Sequence, residues 1–428
     1  MSNEFTRSHV GEGGSSLKDS AYQLKRCEIY RRDADEGGDV VDIRRLVGYV
    51  RIHESLFNPT LVFELGIRDD YNFLEEFNLK GDEIISLQFQ TKVFDLDPVT
   101  HEYQMHVTKI NDYARGDSQV HAYTLIGMSA HAYNAPLVKS NLVCNGITTS
   151  FIHKLCNGIG TDLVQKPDLV DTCSSRAHTV FGMRNPLQAA LELLSVSYDE
   201  KETPYFLYQT LSNHIYLAPL SWMNDREENP VYRTFTYTDQ LKSDPNTDLE
   251  YVERSSQIVK LSSNIGTSPI EQAKKGYGPT TLYEMNLNTK AKSRRRINTS
   301  SGRGHWSIGS SFGYYNPNVS YKFTQPDSND NPETLPPLSV LKAKHEERLK
   351  AQIVAYDTYS HQFSVMGDML LNPGRTVRLQ FPKTLDPSVN PTRDIFDEKL
   401  SGDYLIFQAV HTFQEGKHTT DVIAKTNS

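Results

Sequence analysis

Residues 85–89 read Ile-Ser-Leu-Gln-Phe, and residues 377–381 read Val-Arg-Leu-Gln-Phe. Apolar and polar side chains alternate in both stretches, which is typical of a strand with one face on a core and the other in solvent. Each is followed by a second strand-like stretch, at Tyr103–Tyr113 and at Tyr404–Phe413, and then by a turn and a third one. This shared order predicts an internal duplication of one β unit, with chance similarity of alternating strands as the alternative.

Both ends of the chain are rich in candidate strands, and residues typical of turns, such as Lys80-Gly81-Asp82 and Glu415-Gly416-Lys417, separate them. The N-terminal candidates are Tyr22–Tyr30, Leu46–Ser55, Leu61–Arg68, Glu83–Phe94, Tyr103–Tyr113 and Val120–Gly127. The C-terminal candidates are Ser364–Met369, Thr376–Phe381, Gly402–Thr412 and Thr419–Lys425. Many short strands joined by turns predict an antiparallel barrel or sandwich.

The middle of the chain has a mixed character. Helical spacing of apolar residues predicts helices at Ser150–Asn157 and Pro186–Ser197, and Asn185 is placed to cap the second one. Tyr205–Gln209 and His214–Leu217 are predicted to form a hairpin.

Three further stretches complete this description. Asn224–Pro245 is acidic and contains prolines, which favours a surface position. Ser293–Pro337 is rich in Ser, Gly, Asn, Pro and Tyr and predicts long loops or a small subdomain. Leu338–Ala355 is predicted to be one helix with a charged side.

The predicted fold class is therefore α+β and β-dominated, with two similar antiparallel β-barrel domains and a mixed α/β domain between them. The predicted domains are a flexible N-terminal arm at 1–20, a first barrel at 21–135, a mixed domain at 136–245 plus 295–337, and a second barrel at 246–294 plus 338–428.

Composition limits the classes of protein that this chain can belong to. Its 428 residues exceed what one hydrophobic core usually organises, and 37% hydrophobic residues are enough for a folded protein. A formal net charge of −8 argues against a stable nucleic-acid binder, whose domains usually carry a basic field. The sequence has no run of about 18 apolar residues, so no membrane-spanning helix is expected.

The four cysteines, Cys27, Cys144, Cys156 and Cys173, are irregularly spaced and contain no Cys-x-x-Cys pair. This spacing favours reduced thiols in a protein made in the cytoplasm over a disulfide framework or a zinc site.

Four motifs resemble functional sites, and each also has a simpler interpretation without a function. His101-Glu102-Tyr-Gln-Met-His106 resembles the His-Glu-x-x-His zinc pattern, but its second histidine is one residue too far along and the context is a strand. Gly11–Gly14 lacks the Gly-Lys-Ser/Thr ending of a phosphate loop. The acidic residues between Asp33 and Asp39 lack the spacing of a calcium loop.

The fourth motif is the basic stretch Lys290–Arg296, which we expect to be a solvated loop. Contact with DNA passing through a lumen, or with an acidic neighbour, is the alternative. No catalytic, cofactor-binding or metal-binding residue is assigned from the sequence, and no cofactor is expected.

Several segments together resemble the central hub proteins of contractile phage tail baseplates, which are related to the base of the type VI secretion spike. The first segment runs from Val41 to Asp69, with His53-Glu54-Ser55-Leu56-Phe57 and Gly66-Ile-Arg-Asp69, and continues to Leu79-Lys-Gly-Asp-Glu83. The second runs from Pro186-Leu-Gln-Ala-Ala190 to Leu220, and the third from Leu400-Ser-Gly-Asp-Tyr-Leu-Ile406 to Val422. Shorter matches lie at Gly276-Tyr277-Gly278 and Asn286-Leu-Asn-Thr-Lys290.

The resemblance implies a structural virion protein and not an enzyme. In such hubs each chain carries two barrels of one fold, and three chains form a ring whose six barrels match a hexameric tail tube on one side and a trimeric spike on the other. The implied partners are two further copies of the chain, the central spike, the tail tube protein or its initiator, and baseplate wedge proteins. DNA would pass through the lumen only transiently, and assembly would take place in the host cytoplasm before incorporation into the virion.

Two other functions are kept as alternatives. A baseplate-associated enzyme that degrades cell walls is one, although no Gly-x-Ser-x-Gly elbow or recognisable carboxylate pair supports it. A carbohydrate-binding module is the other, and it rests on abundant tyrosine and on Trp222 and Trp306.

Overall fold

A computed structural model describes residues 22–31, 40–91, 99–115, 120–160, 172–237, 255–265, 280–297, 318–324, 335–383 and 396–426. The predicted N-terminal arm, the glycines at 11–14, the acidic residues at 33–39, the Gly-Tyr-Gly match at 276–278 and Trp306 lie outside these residues.

The described residues form a β-dominated chain with short helices, as the sequence predicts. The N-terminal strands are β1 (Tyr22–Tyr30), β2 (Val41–Asp42), β3 (Val47–Ser55), β4 (Val62–Asp69), β5 (Ile84–Thr91), β6 (Val99–Arg115) and β7 (His121–Met128). The central strands are β8 (Ser140–Ile147), β9 (Arg176–Arg184), β10 (Tyr205–Gln209), β11 (Ile215–Pro219), β12 (Val231–Tyr237), β13 (Gln257–Ile258), β14 (Lys260–Ile265), β15 (Thr280–Asn286), β16 (Lys292–Ile297) and β17 (Asn318–Thr324). The C-terminal strands are β18 (Tyr359–Met366), β19 (Thr376–Gln380), β20 (Gly402–Gln414) and β21 (Lys417–Thr426). The helices are α1 (Phe73–Glu76), α2 (Ala130–Asn134), α3 (Thr148–Asn157), α4 (Pro186–Leu194), α5 (Leu220–Met223), α6 (Leu338–Leu341) and α7 (Glu347–Ala355).

The N-terminal strands pair in an order that returns to its start. The order is β3-β4-β7-β6-β5-β1-β2, and all neighbours are antiparallel. Because β2 and β3 are separated only by residues 43–46, one stretch of chain borders both β1 and β4. We call this arrangement the first strand ring. Its core includes Leu65, Leu87, Phe89 and Leu125, all of them inaccessible to solvent.

The C-terminal strands pair in a similar order that also returns to its start, and we call this arrangement the second strand ring. Its order is β14-β18-β21-β20-β19-β12-β13, and only Val259 separates β13 from β14. The backbone N–H of Val259 donates to the carbonyl of Ser364 at 2.8 Å, which joins the stretch between β13 and β14 to β18. The core contains Phe235, Phe363 and Leu379.

The two rings also agree in register. Ile85 faces Met105 and Val377 faces Tyr404, so the stretches 85–89 and 377–381 occupy equivalent places in the two rings. A bulge then follows at equivalent positions of β6 and β20, between Val107 and Lys109 and between Ile406 and Gln408. Tyr103 and Tyr404 themselves are offset by two residues, since Tyr103 faces Leu87 and its counterpart in β20 is Gly402.

One strand is common to both rings. The first residues of β20, Gly402–Leu405, pair with β19, while its last residues, Gln408–Gln414, pair with β3 of the first ring. Phe413 lies at the far end of this strand and packs in the core of the first ring, with its ring stacked on Phe89 at 4.6 Å. The two rings are therefore joined by a ladder of backbone hydrogen bonds.

A third core lies between the rings in sequence. It is formed by α3, α4, α6, the β8–β9 pair and the β10–β11 hairpin. Helix α4 begins where predicted, because the Asn185 side chain accepts a hydrogen bond from Leu187 N at 2.9 Å and Pro186, which has no N–H, needs no acceptor in the first turn. A separate three-stranded sheet has the order β16-β15-β17.

The structure corrects several details of the predicted organisation. Strand β12 lies parallel to both of its neighbours, so the large sheet is mixed and the second ring is not purely antiparallel. This strand belongs to the second ring, although it was expected in the middle domain. The predicted helix Leu338–Ala355 is present as one helical run in which π-helical residues Lys342–Glu346 join α6 and α7. Leu338 and Leu341 pack in the middle core, however, and not in the second barrel domain where they were expected. The expected loop region contains β17 and part of β16, which spans the proposed boundary at 294 and 295.

Candidate assembly edges and a binding pocket

The two histidines of the zinc-like sequence at residues 101–106 lie apart in the structure. His101 and His106 both lie on β6, and their odd spacing places them on opposite faces of the strand. His106 is buried and stacks on Tyr133. Among the described residues no group of three or more His, Cys, Asp or Glu side chains is close enough together to hold a metal ion.

The basic stretch belongs to an ordered strand and not to a loop. Lys292 and Arg294 lie on β16, which pairs with β15, and both side chains are exposed. The guanidinium of Arg294 lies 5.8 Å from the ring centre of Tyr283. The charged group of Arg294 therefore lies over the ring of Tyr283, which is exposed.

The distal half of β6 has one edge without a strand partner in the described part of the chain. Strand β5 pairs with β6 only as far as His106, whereas β7 continues along β6 to Arg115. Residues 109–115 therefore present backbone groups on the β5 side to solvent, and most of their side chains are exposed. Such an edge is a template for another strand.

Strand β14 has a second such edge. It pairs with β18 on one side, from Lys260 opposite Ser364 to Ile265 opposite Tyr359, and with no described strand on the other. Ser262, Ser263 and Asn264 are exposed.

A buried polar cluster lies where the two rings and the β10–β11 hairpin meet. One carboxylate oxygen of Glu54 accepts a hydrogen bond from Leu211 N at 2.5 Å, and the other lies 3.1 Å from His411 Nε2. The second ring nitrogen of His411 lies 3.3 Å from His418 Nε2 and 3.3 Å from Thr420 Oγ1. Glu54 and His411 are inaccessible to solvent, so the pair replaces hydration with contacts between three structural elements.

Burial determines the titration of the ionisable groups here. It raises the pKa of Glu54, and the hydrogen bond from His411 opposes that rise. It lowers the pKa of His418 well below its ordinary value, with His411 and His101 adding to the effect. Burial also lowers the pKa of His361, in the second ring, to about 4.

His361 is expected to make the protein less stable in acid. A histidine whose pKa is lower in the folded chain takes up its proton preferentially when the chain unfolds, so its contribution to stability is lost as pH falls below about 6.5. Wild-type protein should lose roughly 1–2 kcal/mol more free energy of unfolding between pH 7 and pH 5 than His361→Gln does. Urea denaturation at the two pH values measures this difference. Equal losses in both proteins would show that His361 is not the group responsible, and His153→Gln serves as a control at a partly exposed histidine.

A pocket of about 540 Å³ lies between the middle core and the second ring. It is lined by aromatic side chains from the hairpin, from α5 and from β12, together with residues of the turn before β19: Tyr208, Tyr216, Trp222, Tyr232, Asn372 and Arg375. This volume lies in the range of sites that bind small molecules or single residues of a partner.

The turn before β19 has an imposed conformation. Gly374 has a φ of +83°, and Arg375 N donates to the carbonyl of Asn372 at 3.3 Å, as expected for Pro373 and Gly374 at the centre of a type II turn. A side chain at Gly374 would also meet the hydroxyl of Tyr208, because a Cβ placed there lies 2.5 Å from it. Conformation and packing both require glycine at this position.

Comparison with known proteins was carried out by sequence and by structure. No family model matches the chain, and no curated protein matches its sequence. Among solved structures, the tail protein from Neisseria meningitidis MC58 superimposes with a TM-score of 0.51 and 10% identity, covering 95% of this chain and 97% of that one. The 43 kDa tail protein of prophage MuSo2 from Shewanella oneidensis superimposes with a TM-score of 0.50 and 10% identity, covering 93% and 97%.

The chain has the fold of these two tail proteins. The match spans nearly the whole of each chain, so it covers both strand rings and the region between them. The resemblance predicted from sequence is thereby confirmed at the level of the fold. In the part of the chain that the structure describes, no helix is long and apolar enough to cross a membrane.

Sequence reasoning did not find the edge residues or the pocket. The residues Asn372-Pro373-Gly374 are of types that favour a turn, but nothing in the sequence shows that Tyr208 and Trp222 lie beside them. Strand β6 has 17 residues and β5 has 8, and this difference in length, which leaves part of β6 unpaired, is seen only in the structure.

Proposed function

We propose that this protein is a structural, non-enzymatic subunit of a phage tail baseplate, and that three copies form a hub ring between the tail tube and the central spike. The fold that it shares with two tail proteins supports a role in a tail. The observation that carries the trimer concerns the contact that joins the two rings within one chain: the strands equivalent to its two members, β6 and β14, each have an unpaired edge in the described part of the chain.

The contact within one chain is a strand pair. Strand β3 of the first ring adds to the free edge of β20 in the second, with His53 opposite Val410. In the common strand order of the rings, β14 is the counterpart of β3, and β6 is the counterpart of β20. On each of these two counterparts, one edge has no strand partner among the described residues.

The same contact can therefore be made a second time, between chains. Strand β14 of one protomer would add to the distal half of β6 in the next, with Asn264 opposite Asn111 by analogy with His53 and Val410. Each chain then contributes one contact within itself and one to its neighbour. Such a head-to-tail interface produces a closed trimer when the rotation between subunits allows it. Three chains then contribute six strand rings, two from each chain.

Six similar positions on a threefold ring would match two kinds of partner. One face would meet a hexameric tail tube or its initiator, and the other a trimeric spike, with wedge proteins at the periphery. In this proposal each pair of strand rings is a pair of similar barrels, the assembled protein is located in the virion baseplate, and DNA passes through the central opening only during ejection.

Cysteine cross-linking tests this arrangement. The double variant Asn111→Cys/Asn264→Cys places one thiol on each proposed edge, at the separation of directly opposed residues in a sheet, about 4.5–5.5 Å between Cβ atoms. Mild oxidation should produce a ladder on a denaturing gel that ends at three covalently linked chains. The native cysteines are all buried, which limits background reaction.

Three controls make the result specific. Each single variant should give no ladder, because the two proposed edges lie on different strands of the interface. The pair Asn111→Cys/Ser262→Cys is shifted by two residues and should react much more slowly. A ladder that continues beyond three chains would contradict closure, and a monomer in light scattering together with no cross-link would contradict the hub.

A further inference from the structure

The pocket beside β19 contains a buried acceptor, the side-chain oxygen of Asn372. Asn372 is only 8% exposed, and its Oδ1 accepts no hydrogen bond from the residues that the structure describes. The turn does not use this atom, because the hydrogen bond from Arg375 N goes to the backbone carbonyl of Asn372. A buried amide oxygen without a partner is costly, so a donor that enters the pocket gains by satisfying it.

The pocket also contains the cation of Arg375. The guanidinium of Arg375 lies 5.0 Å from the ring centre of Tyr232, and among the described residues no carboxylate lies within ion-pair distance of it. Asp368 is already bound by the Tyr232 hydroxyl at 2.8 Å and by Arg233 at 3.4 Å. Asp403 is bound in the same way by Arg226 and Arg378.

The remaining lining combines aromatic rings with one carboxylate, that of Glu228, and with smaller side chains. The rings of Tyr208 and Tyr216 are stacked at 5.4 Å, and Trp222 packs in the same cluster. Tyr208 is buried, whereas Tyr216 and Trp222 are partly exposed. Such surfaces accept an apolar or aromatic side chain.

We propose that this pocket binds the C-terminal residue of a partner peptide chain that ends in an aromatic or large apolar side chain. A terminal residue carries an N–H donor and a carboxylate on the same Cα, and Asn372 and Arg375 offer an acceptor and a cation at the two ends of one tight turn. Arginine binds a carboxylate with two parallel hydrogen bonds. The side chain of the terminal residue then packs against Tyr208, Tyr216 and Trp222.

Trp222 provides the measurement. In a Trp306→Phe background it is the only tryptophan in the chain, so its fluorescence reports on the pocket. Titration of the purified full-length protein with N-acetyl-glycyl-L-phenylalanine should change this fluorescence to saturation. The same peptide with an amidated C-terminus should bind at least about tenfold more weakly, because it lacks the carboxylate.

Matched variants separate the pocket from the protein surface. Arg375→Gln should remove the preference for the acid over the amide, whereas Arg378→Gln should keep it, because Arg378 lies on the adjoining strand β19 and is paired with Asp403. Asn372→Asp keeps the shape of the side chain but places a second anion beside the ligand, so it should weaken binding by about tenfold or more. Circular dichroism and thermal unfolding confirm that each variant is folded.

Three results would overturn the proposal: no fluorescence change up to about 10 mM peptide acid, equal binding of acid and amide, or loss of the preference in Arg378→Gln. Saturable binding of N-acetylglucosamine at the same tryptophan, with none of the peptide, would assign the pocket to a sugar. None of these outcomes affects the cross-linking of the trimer, which depends on β6 and β14.

Discussion

Glu54→Ala is expected to lower the free energy of unfolding by roughly 3–5 kcal/mol. The substitution leaves two buried groups without their partner, the Leu211 N–H and the His411 ring. A buried donor without an acceptor costs more than the lost hydrogen bond contributes, because it cannot return to water in the folded protein. Urea denaturation at pH 7 measures the change.

A glutamate in a different environment provides the control. Glu64 also faces a histidine and an arginine, His53 and Arg51, but these side chains are partly exposed. Glu64→Ala should therefore cost less than about 1 kcal/mol. Similar losses of stability in the two variants would show that the buried polar cluster contributes no more to folding than a partly exposed ion pair does.

Phe413→Ala is expected to cost about 3–5 kcal/mol and to loosen the first strand ring more than the second. Phe413 belongs to β20 but packs in the core of the first ring, where it contacts Phe89 and Tyr22 and stacks on His418 at 4.3 Å. Its removal leaves a cavity at the point where one ring is attached to the other. Hydrogen exchange should show reduced protection of the backbone amides in β1 and β5.

Phe363→Ala is the matched comparison, since Phe363 is equally buried but lies in the core of the second ring. It should cost a similar free energy and reduce protection in β18 and β21 instead. The same pattern of exchange in both variants would mean that the two rings unfold as one unit and that Phe413 has no special position.

Local structure was predictable wherever one face of an element is buried. The predicted strand Tyr22–Tyr30 has the observed bounds, and the predicted cap at Asn185 is present. Both features depend only on residues that are close in sequence. The five-residue duplication is in register for the same reason, since its apolar positions face equivalent partners.

Features that depend on distant residues were not predictable. The alternation in Val231–Tyr237 is the same for a parallel and an antiparallel strand, so the direction of β12 follows only from how its ends are connected. The pocket brings Tyr208 to Asn372 across two structural units, and the unpaired edges depend on where neighbouring strands stop. A single sequence without homologues carries no signal for such contacts.

The continuity of Gly402–Gln414 has a mechanical consequence. This strand passes from the wall of one ring to the wall of the other without an intervening loop, and loops are where hinge rotations usually take place. A twisting load on one ring is therefore transmitted to its neighbour through backbone hydrogen bonds, and the two turn together as a stiff lever. In the proposed trimer, any change in diameter therefore has to occur at the contacts between subunits.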